Sequence, residues 1–160
     1  MALILRWRYI DGSSRWKAKC EECWIGFQNN RQSRHSLKCW KIGIPFSAFK
    51  DHEKAIEKLI DIVNSNEDWD LKYMADPGLL KLFTGGVAIV YTPSKESMVR
   101  FIKLASKELR DLLKEPRMIE DLFYRIAVNT DKVAGKFYYR RGCPEYDWKF
   151  GDWRKWRIID

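Results

Sequence analysis

Two stretches of helical periodicity, separated by a short unbroken apolar run, constrain this chain more than any other feature. From Ser94 to about Lys114, Met98, Phe101, Ile102, Ala105, Leu109, Leu112 and Leu113 fall on one face of a helix. A second pattern starts at Ser47, a good N-cap residue, and runs to about Val63. It sets Phe49, Ile56, Leu59, Ile60 and Val63 against Glu53, Lys54, Glu57, Lys58 and Asp61. Between them, Val87 to Thr92 has the length and composition of a buried strand and follows Gly85-Gly86. Amphipathic helices must bury their apolar stripes. A chain of 160 residues, 46% hydrophobic, supplies one core for that purpose and not two. An intrinsically disordered chain is excluded, and no apolar run approaches the ~18 residues of a membrane-spanning helix. Met1 to Leu5 is too short for a secretory signal and is followed by Arg6 and Arg8. The expected location is the cytoplasm, or a host cytoplasm for a viral protein. A composition rich in Lys, Arg, Glu and Ile with only two Gln points to a thermophile; the expected source is archaeal or viral.

The flanking segments read as strands. Ala2 to Ile10 and Arg15 to Gln28 form an expected hairpin around Asp11-Gly12-Ser13-Ser14. Strand alternation then puts Arg6, Arg8, Arg15, Lys17 and Lys19 at or near one face and Trp7, Tyr9, Trp16 and Ala18 at the other. Lys41 to Phe46 is a short extended segment in which Pro45 argues against central pairing. Trp69 to Met74 alternates in polarity, and Asp76-Pro77-Gly78 is a turn. Pro116 ends the second helix. Leu122 to Asn129 and Lys136 to Arg140 are two further strands. The expected fold is α+β: one curved, mostly antiparallel sheet, two long helices on one face, and a basic N-terminal hairpin whose face stays uncovered. It reads as a single domain, with a basic hairpin and cysteine segment over 1–46, a core over 47–141 and an aromatic, basic tail over 142–160.

Charge is segregated. Residues 1–50 carry ten basic and three acidic side chains, 51–120 eleven and thirteen, and 121–160 nine and six, which sums to the net +8. An excess gathered at the ends suggests a surface for polyanions. Eight tryptophans stand beside many of these cations, as in Arg6-Trp7-Arg8, Arg15-Trp16-Lys17, Trp148-Lys149 and Trp153-Arg154-Lys155-Trp156-Arg157. Phosphates call for cations and unpaired bases for flat faces to stack on, which is the recipe for binding RNA or single-stranded DNA. The residues expected to hold phosphates are Arg6, Arg8, Arg15, Lys17 and Lys19, assisted by Arg31 and Arg34. Those expected to stack on bases are Trp24, Trp40, Trp153 and Trp156.

The four cysteines are Cys20, Cys23, Cys39 and Cys143. Cys20-Glu-Glu-Cys23, then His35 and Cys39, writes out as C-x2-C-x11-H-x3-C. A short C-x2-C bend offers two sulfurs, and H-x3-C offers one nitrogen and one sulfur, the donors of tetrahedral Zn2+. With Phe27 four residues after Cys23, the segment resembles zinc fingers of the two-cysteine, two-histidine class, with cysteine as the last ligand. Cys143 is an alternative to His35. A redox role for Cys20 and Cys23 is disfavoured, because Glu21 and Glu22 between them would raise the thiol pKa.

Signatures of hydrolytic catalysis are lacking: no G-x-S-x-G, H-E-x-x-H or phosphate-binding glycine loop occurs in the sequence. Asp68, Asp70 and Lys72 form a local cluster of the kind that metal-dependent nucleases use with Mg2+ or Mn2+. Residues from about Gly86 to Tyr139 resemble the C-terminal half of the translation initiation factor 4E-like, cap-binding fold. The likeness lies in a strand (Val87 to Thr92) leading to a long helix, then a strand (Phe123 to Val128), a polar turn (Asn129 to Gly135) and a return strand (Lys136 to Arg140). That resemblance implies a curved sheet whose concave face stacks a modified guanine between tryptophans and holds its phosphates with Arg and Lys. The expected function is non-enzymatic, zinc-stabilised binding of RNA or single-stranded DNA. The alternatives are a metal-dependent nuclease and a viral or mobile-element protein whose basic face meets an acidic protein.

Overall fold

The computed structural model describes residues 7–74 and 85–159. Arg6, the start of the expected first strand and the turn at Asp76-Pro77-Gly78 lie outside them. Along the chain run β1 (Arg8–Tyr9), α1 (Lys17–Gln28), α2 (Arg34–Lys38), β2 (Trp40–Pro45), α3 (His52–Asn64), β3 (Asp70–Met74), β4 (Val87–Thr92), α4 (Lys95–Glu108), α5 (Met118–Leu122), β5 (Asp131–Val133), β6 (Phe137–Arg141) and α6 (Tyr146–Phe150). The class is α+β. Six strands form one open sheet in the order β1-β3-β4-β2-β6-β5, every neighbouring pair antiparallel.

Alternation along the strands builds two distinct faces. Ile42 and Ile44 of β2, Ala88 and Val90 of β4, Leu71 of β3 and Phe137 of β6 meet Ile56, Leu59 and Val63 of α3 and Met98, Phe101 and Ala105 of α4 in the main core. Both helices have polar starts that satisfy their first N–H groups. Asp51 accepts from Lys54 N at 3.2 Å, and Ser94 accepts from Ser97 N at 3.1 Å. Helix α3 thus begins at Asp51 rather than Ser47, whose hydroxyl instead donates to the buried Glu120 at 2.7 Å.

The opposite face carries Lys41, Asp70, Lys72, Ile89, Tyr91, Tyr138 and Arg140, by the same registers. It is covered too. Trp16 packs on Cys39 and Tyr91, while Tyr124 packs on Val87 and Tyr138.

Three sequence expectations are corrected here. Residues 17–28 form α1, so the basic hairpin is not formed. Trp16, Cys20, Cys23 and Phe27, spaced four, three and four, are a helical stripe. Lys17 and Lys19 therefore belong to a helix, whereas Arg8 lies on β1 opposite Tyr73 of β3. Residues 122–129 are not a strand either: α5 continues into a π-helical turn over Phe123–Ala127, so the element order behind the cap-binding resemblance differs at that point. Glu120 and Tyr124, four apart and both buried, explain that helix. Third, β2 is a central strand. Pro45 is its last residue, past the stretch that pairs with β6, where no ladder N–H is demanded on that side. The tail packs by its aromatics: Tyr146, Trp153 and Trp156 form a second cluster with Cys23 and Leu37.

Candidate functional site

The C-terminal tail and the α1–α2 segment enclose a cleft beside β2. Its cavity volume is about 80 Å³, and its walls include Cys20, Cys23, His35, Cys39, Lys41 and Cys143 together with Trp24, Phe27 and Tyr146. All four cysteines of the chain therefore face one space, with His35 and one lysine. Cys20 and Cys23 are brought there by the turn of α1, Cys39 by the junction of α2 and β2, and Cys143 by the exit from β6. Two contacts hold the walls together. Tyr146 donates its hydroxyl proton to the carbonyl of Cys23, and Gly142 N donates to the carbonyl of Cys39 at 2.7 Å. Cys39 thus sits beside the Gly142–Cys143 corner through backbone alone.

Inside the cleft Lys41 Nζ donates to Cys143 Sγ at 2.8 Å and lies 5.1 Å from the Tyr91 ring centre. Lys72 Nζ lies 4.2 Å over Trp7 and 5.5 Å from Tyr91. Neither lysine has a carboxylate within salt-bridge distance among the described residues. Burial works against the Lys41 charge, but Cys143, then Tyr91 and Cys39, hold its pKa well above the usual lysine value. Burial and the neighbouring Lys41 lower Lys72 to about 8. Burial, then Lys19 and Lys41, lowers His35 to about 4, so its imidazole is neutral at physiological pH. Burial raises Cys39 to about 12 and raises Cys20 and Cys23 as well, which leaves these thiols protonated rather than poised as nucleophiles.

The donors are soft and suited to zinc, and His35 Nε2 is buried without a hydrogen-bond partner. Cys23 Sγ is instead 2.9 Å from Ser33 Oγ. Among the described residues no group of three or more His, Cys, Asp or Glu side chains is assembled to hold a metal ion.

The other expected site residues separate. Arg15 is engaged by Asp11 at 2.7 Å, Asn64 at 2.6 Å and the Trp69 carbonyl at 3.1 Å, so it fastens the N-terminal turn to the sheet. Arg8, Lys17, Lys19, Arg31 and Arg34 are exposed, yet the first three do not share a sheet face with Arg15. Trp153 and Trp156 are 3% and 6% exposed, and Trp40 is partly buried with its ring edge-on to Trp153 at 5.9 Å. Trp153 and Trp156 are packing residues and not stacking surfaces. Trp24, by contrast, is 55% exposed and stacks on Phe27 with ring centres 5.5 Å apart and planes 15° apart. Lys149 Nζ caps the Phe27 ring at 4.0 Å.

The sequence pairs Trp148 with Lys149 but leaves it out of the expected stacking residues, and it is 84% exposed on α6. Sequence reasoning passed over Lys41, whose partner Cys143 is distant in sequence. Asp70 belongs to the fold: its carboxylate is buried and accepts from Ser14 Oγ and Arg15 N, both at 3.0 Å, while Asp68 is exposed.

No protein-family model matches the chain, and no curated protein is significantly similar to it. Among the described residues, no helix is long and apolar enough to cross a membrane.

Proposed function

We propose that this is a non-enzymatic nucleic-acid-binding domain, suited to RNA or single-stranded DNA, whose cysteine cleft takes up zinc as a structural staple. The observation that carries the reading is Trp24. A large ring more than half exposed, stacked on Phe27, stands on a helix that also presents Lys17 and Lys19 and leads to Arg31. One side of the Trp24 ring is spent on Phe27, and the exposed remainder is a flat surface on which an unpaired base gains about 1–3 kcal/mol by stacking. Cations around it supply the phosphate contacts that every such interface needs. Zinc in the cleft would fix α1, and with it Trp24, to the β2–β6 corner.

The nuclease reading loses its footing because the Asp70 carboxylate is spent on Ser14 and Arg15. An acidic protein surface selects the same cations as a phosphate backbone, and it remains the second reading.

A mobility-shift series with labelled single- and double-stranded RNA and DNA, with and without Mg2+ or Mn2+, tests the proposal. Single strands are expected to shift without cleavage. The double variant Lys17→Gln/Arg31→Gln is expected to weaken binding about equally for all sequences and to flatten the salt dependence by roughly 0.7 log units per lost contact on a single strand. Unchanged affinity and slope in a binding-competent protein would move the phosphate contacts elsewhere. No shift at all with the wild type would hand the surface to an acidic protein partner.

A further inference from the structure

We infer that the fourth zinc ligand is Cys143, so that the centre is a tetrathiolate of Cys20, Cys23, Cys39 and Cys143 with Lys41 donating a hydrogen bond to it from outside. The inference rests on the reading of the cleft as a zinc site and decides between the two donors, His35 and Cys143, that line it with the other three cysteines.

The backbone argues first. The hydrogen bond from Gly142 N to the Cys39 carbonyl, 2.7 Å long, holds residues 39 and 142 side by side at the end of the β2–β6 pairing. Gly142 has φ +69°, and a Cβ there would lie 2.7 Å from the Trp156 ring, so glycine is what lets the chain turn in this space. Cys143 follows that turn directly. It is set against Cys39 by main-chain geometry, while Tyr146, three residues on, ties the same turn to Cys23. Cys20 and Cys23, three apart on α1, face the cleft together.

Charge argues second. Two lysines, Lys41 and Lys72, look onto this region from one sheet face and have no carboxylate partner among the described residues. Zinc with four thiolates carries a net charge of −2 and offsets both. Zinc with three thiolates and an imidazole offsets one. Lys41 Nζ already donates to Cys143 Sγ, the outer hydrogen bond that a metal thiolate requires for its excess charge. His35 sits with its ring edge-on to Trp16 at 5.1 Å; its buried, unpartnered Nε2 is the one observation that favours it, and the His35→Ala arm of the test weighs that directly.

Binding replaces four S–H bonds by four Zn–S bonds near ~2.3 Å, releases the protons to solvent and changes no oxidation state. No three of these donors are assembled around one point among the described residues, so closure on the ion requires the four thiols to draw together and the Cys23 thiol to leave Ser33 Oγ.

The test uses the full chain loaded with zinc or cobalt. Metal per chain is measured by elemental analysis, and the visible spectrum of the cobalt form reports the number of thiolates. The inference expects one metal per chain and a four-thiolate spectrum. It expects His35→Ala to keep both, Cys143→Ser to lose the metal, and Lys41→Met to bind zinc some 10- to 100-fold more weakly. Loss of metal or a changed cobalt spectrum in His35→Ala overturns the inference while leaving the zinc reading intact, and this arm holds even where Cys143→Ser does not fold. A wild type that takes up no metal overturns both.

Discussion

Trp153→Ala is expected to destabilise the folded protein by about 3–5 kcal/mol, the usual cost of emptying a buried tryptophan site. For a domain of this size that is a fall in melting temperature of about 6–20 °C. The ring is 3% exposed, packs edge-on against Trp40 and Tyr139, and donates its indole N–H to the Asn129 carbonyl at 2.6 Å. Truncation therefore leaves both a cavity and an orphaned carbonyl beneath the tail. The donations from Arg141 to the carbonyls of Trp153 and Trp156, at 2.8 and 2.7 Å, are to backbone and survive the substitution. Thermal melts of wild type and variant check this. A change below about 1 kcal/mol, accompanied by lost nucleic-acid affinity, would return Trp153 to the binding surface.

Removal of metal is expected to be the second large effect. With free zinc at a thousand times its dissociation constant, a site that exists only in the folded state contributes about 4 kcal/mol. An excess of chelator should then lower the melting temperature by about 8–16 °C. The loss should be local before it is global. The α1–α2 segment and α6 meet across the cleft, whereas α3 and α4 have their own core on the other face of the sheet. Hydrogen exchange should accordingly speed up first at residues 17–39 and 142–156. A melting temperature indifferent to chelator would remove zinc from the account.

The main core was legible because its signal is periodic. Met98, Phe101 and Ala105 on α4, and Ile56, Leu59 and Val63 on α3, declare their buried faces by spacing alone, and Val87 to Thr92 declares a buried strand by composition. The N-terminal segment misled for the opposite reason. Aromatic and charged residues alternate over Arg15 to Lys19 as in a strand, and only the longer stripe from Trp16 through Cys20 and Cys23 to Phe27 reveals the helix. Residues 123–127 misled through β-branched and aromatic composition. Tertiary packing of Tyr124 on Tyr138, and the donation from Thr130 Oγ1 to the Tyr124 carbonyl at 2.7 Å, hold them helical.

The cleft was half legible. Cys20, Cys23, His35 and Cys39 share a short segment and are visible as a pattern. Cys143 and Lys41 meet only because β2 pairs with β6, and no local spacing encodes that. Trp153 and Trp156 stand among cations in sequence and under the surface in space. Arg141 shows why: its guanidinium is turned inward onto tail carbonyls, so a basic neighbour does not mean an exposed ring.

The central claim is that exposed Trp24, among the cations of the α1–α2 segment, is a stacking surface for unpaired bases. Its most direct test is the affinity of wild type and Trp24→Ala for labelled single-stranded RNA, measured over a range of salt concentrations. The account predicts binding weaker by about 1–3 kcal/mol, roughly five- to 150-fold, since one stacked base is lost. It also predicts an unchanged salt slope, because no cation is removed. An unchanged melting temperature completes the expectation, because the ring is 55% exposed. Equal affinity of the two proteins at every salt concentration would contradict it.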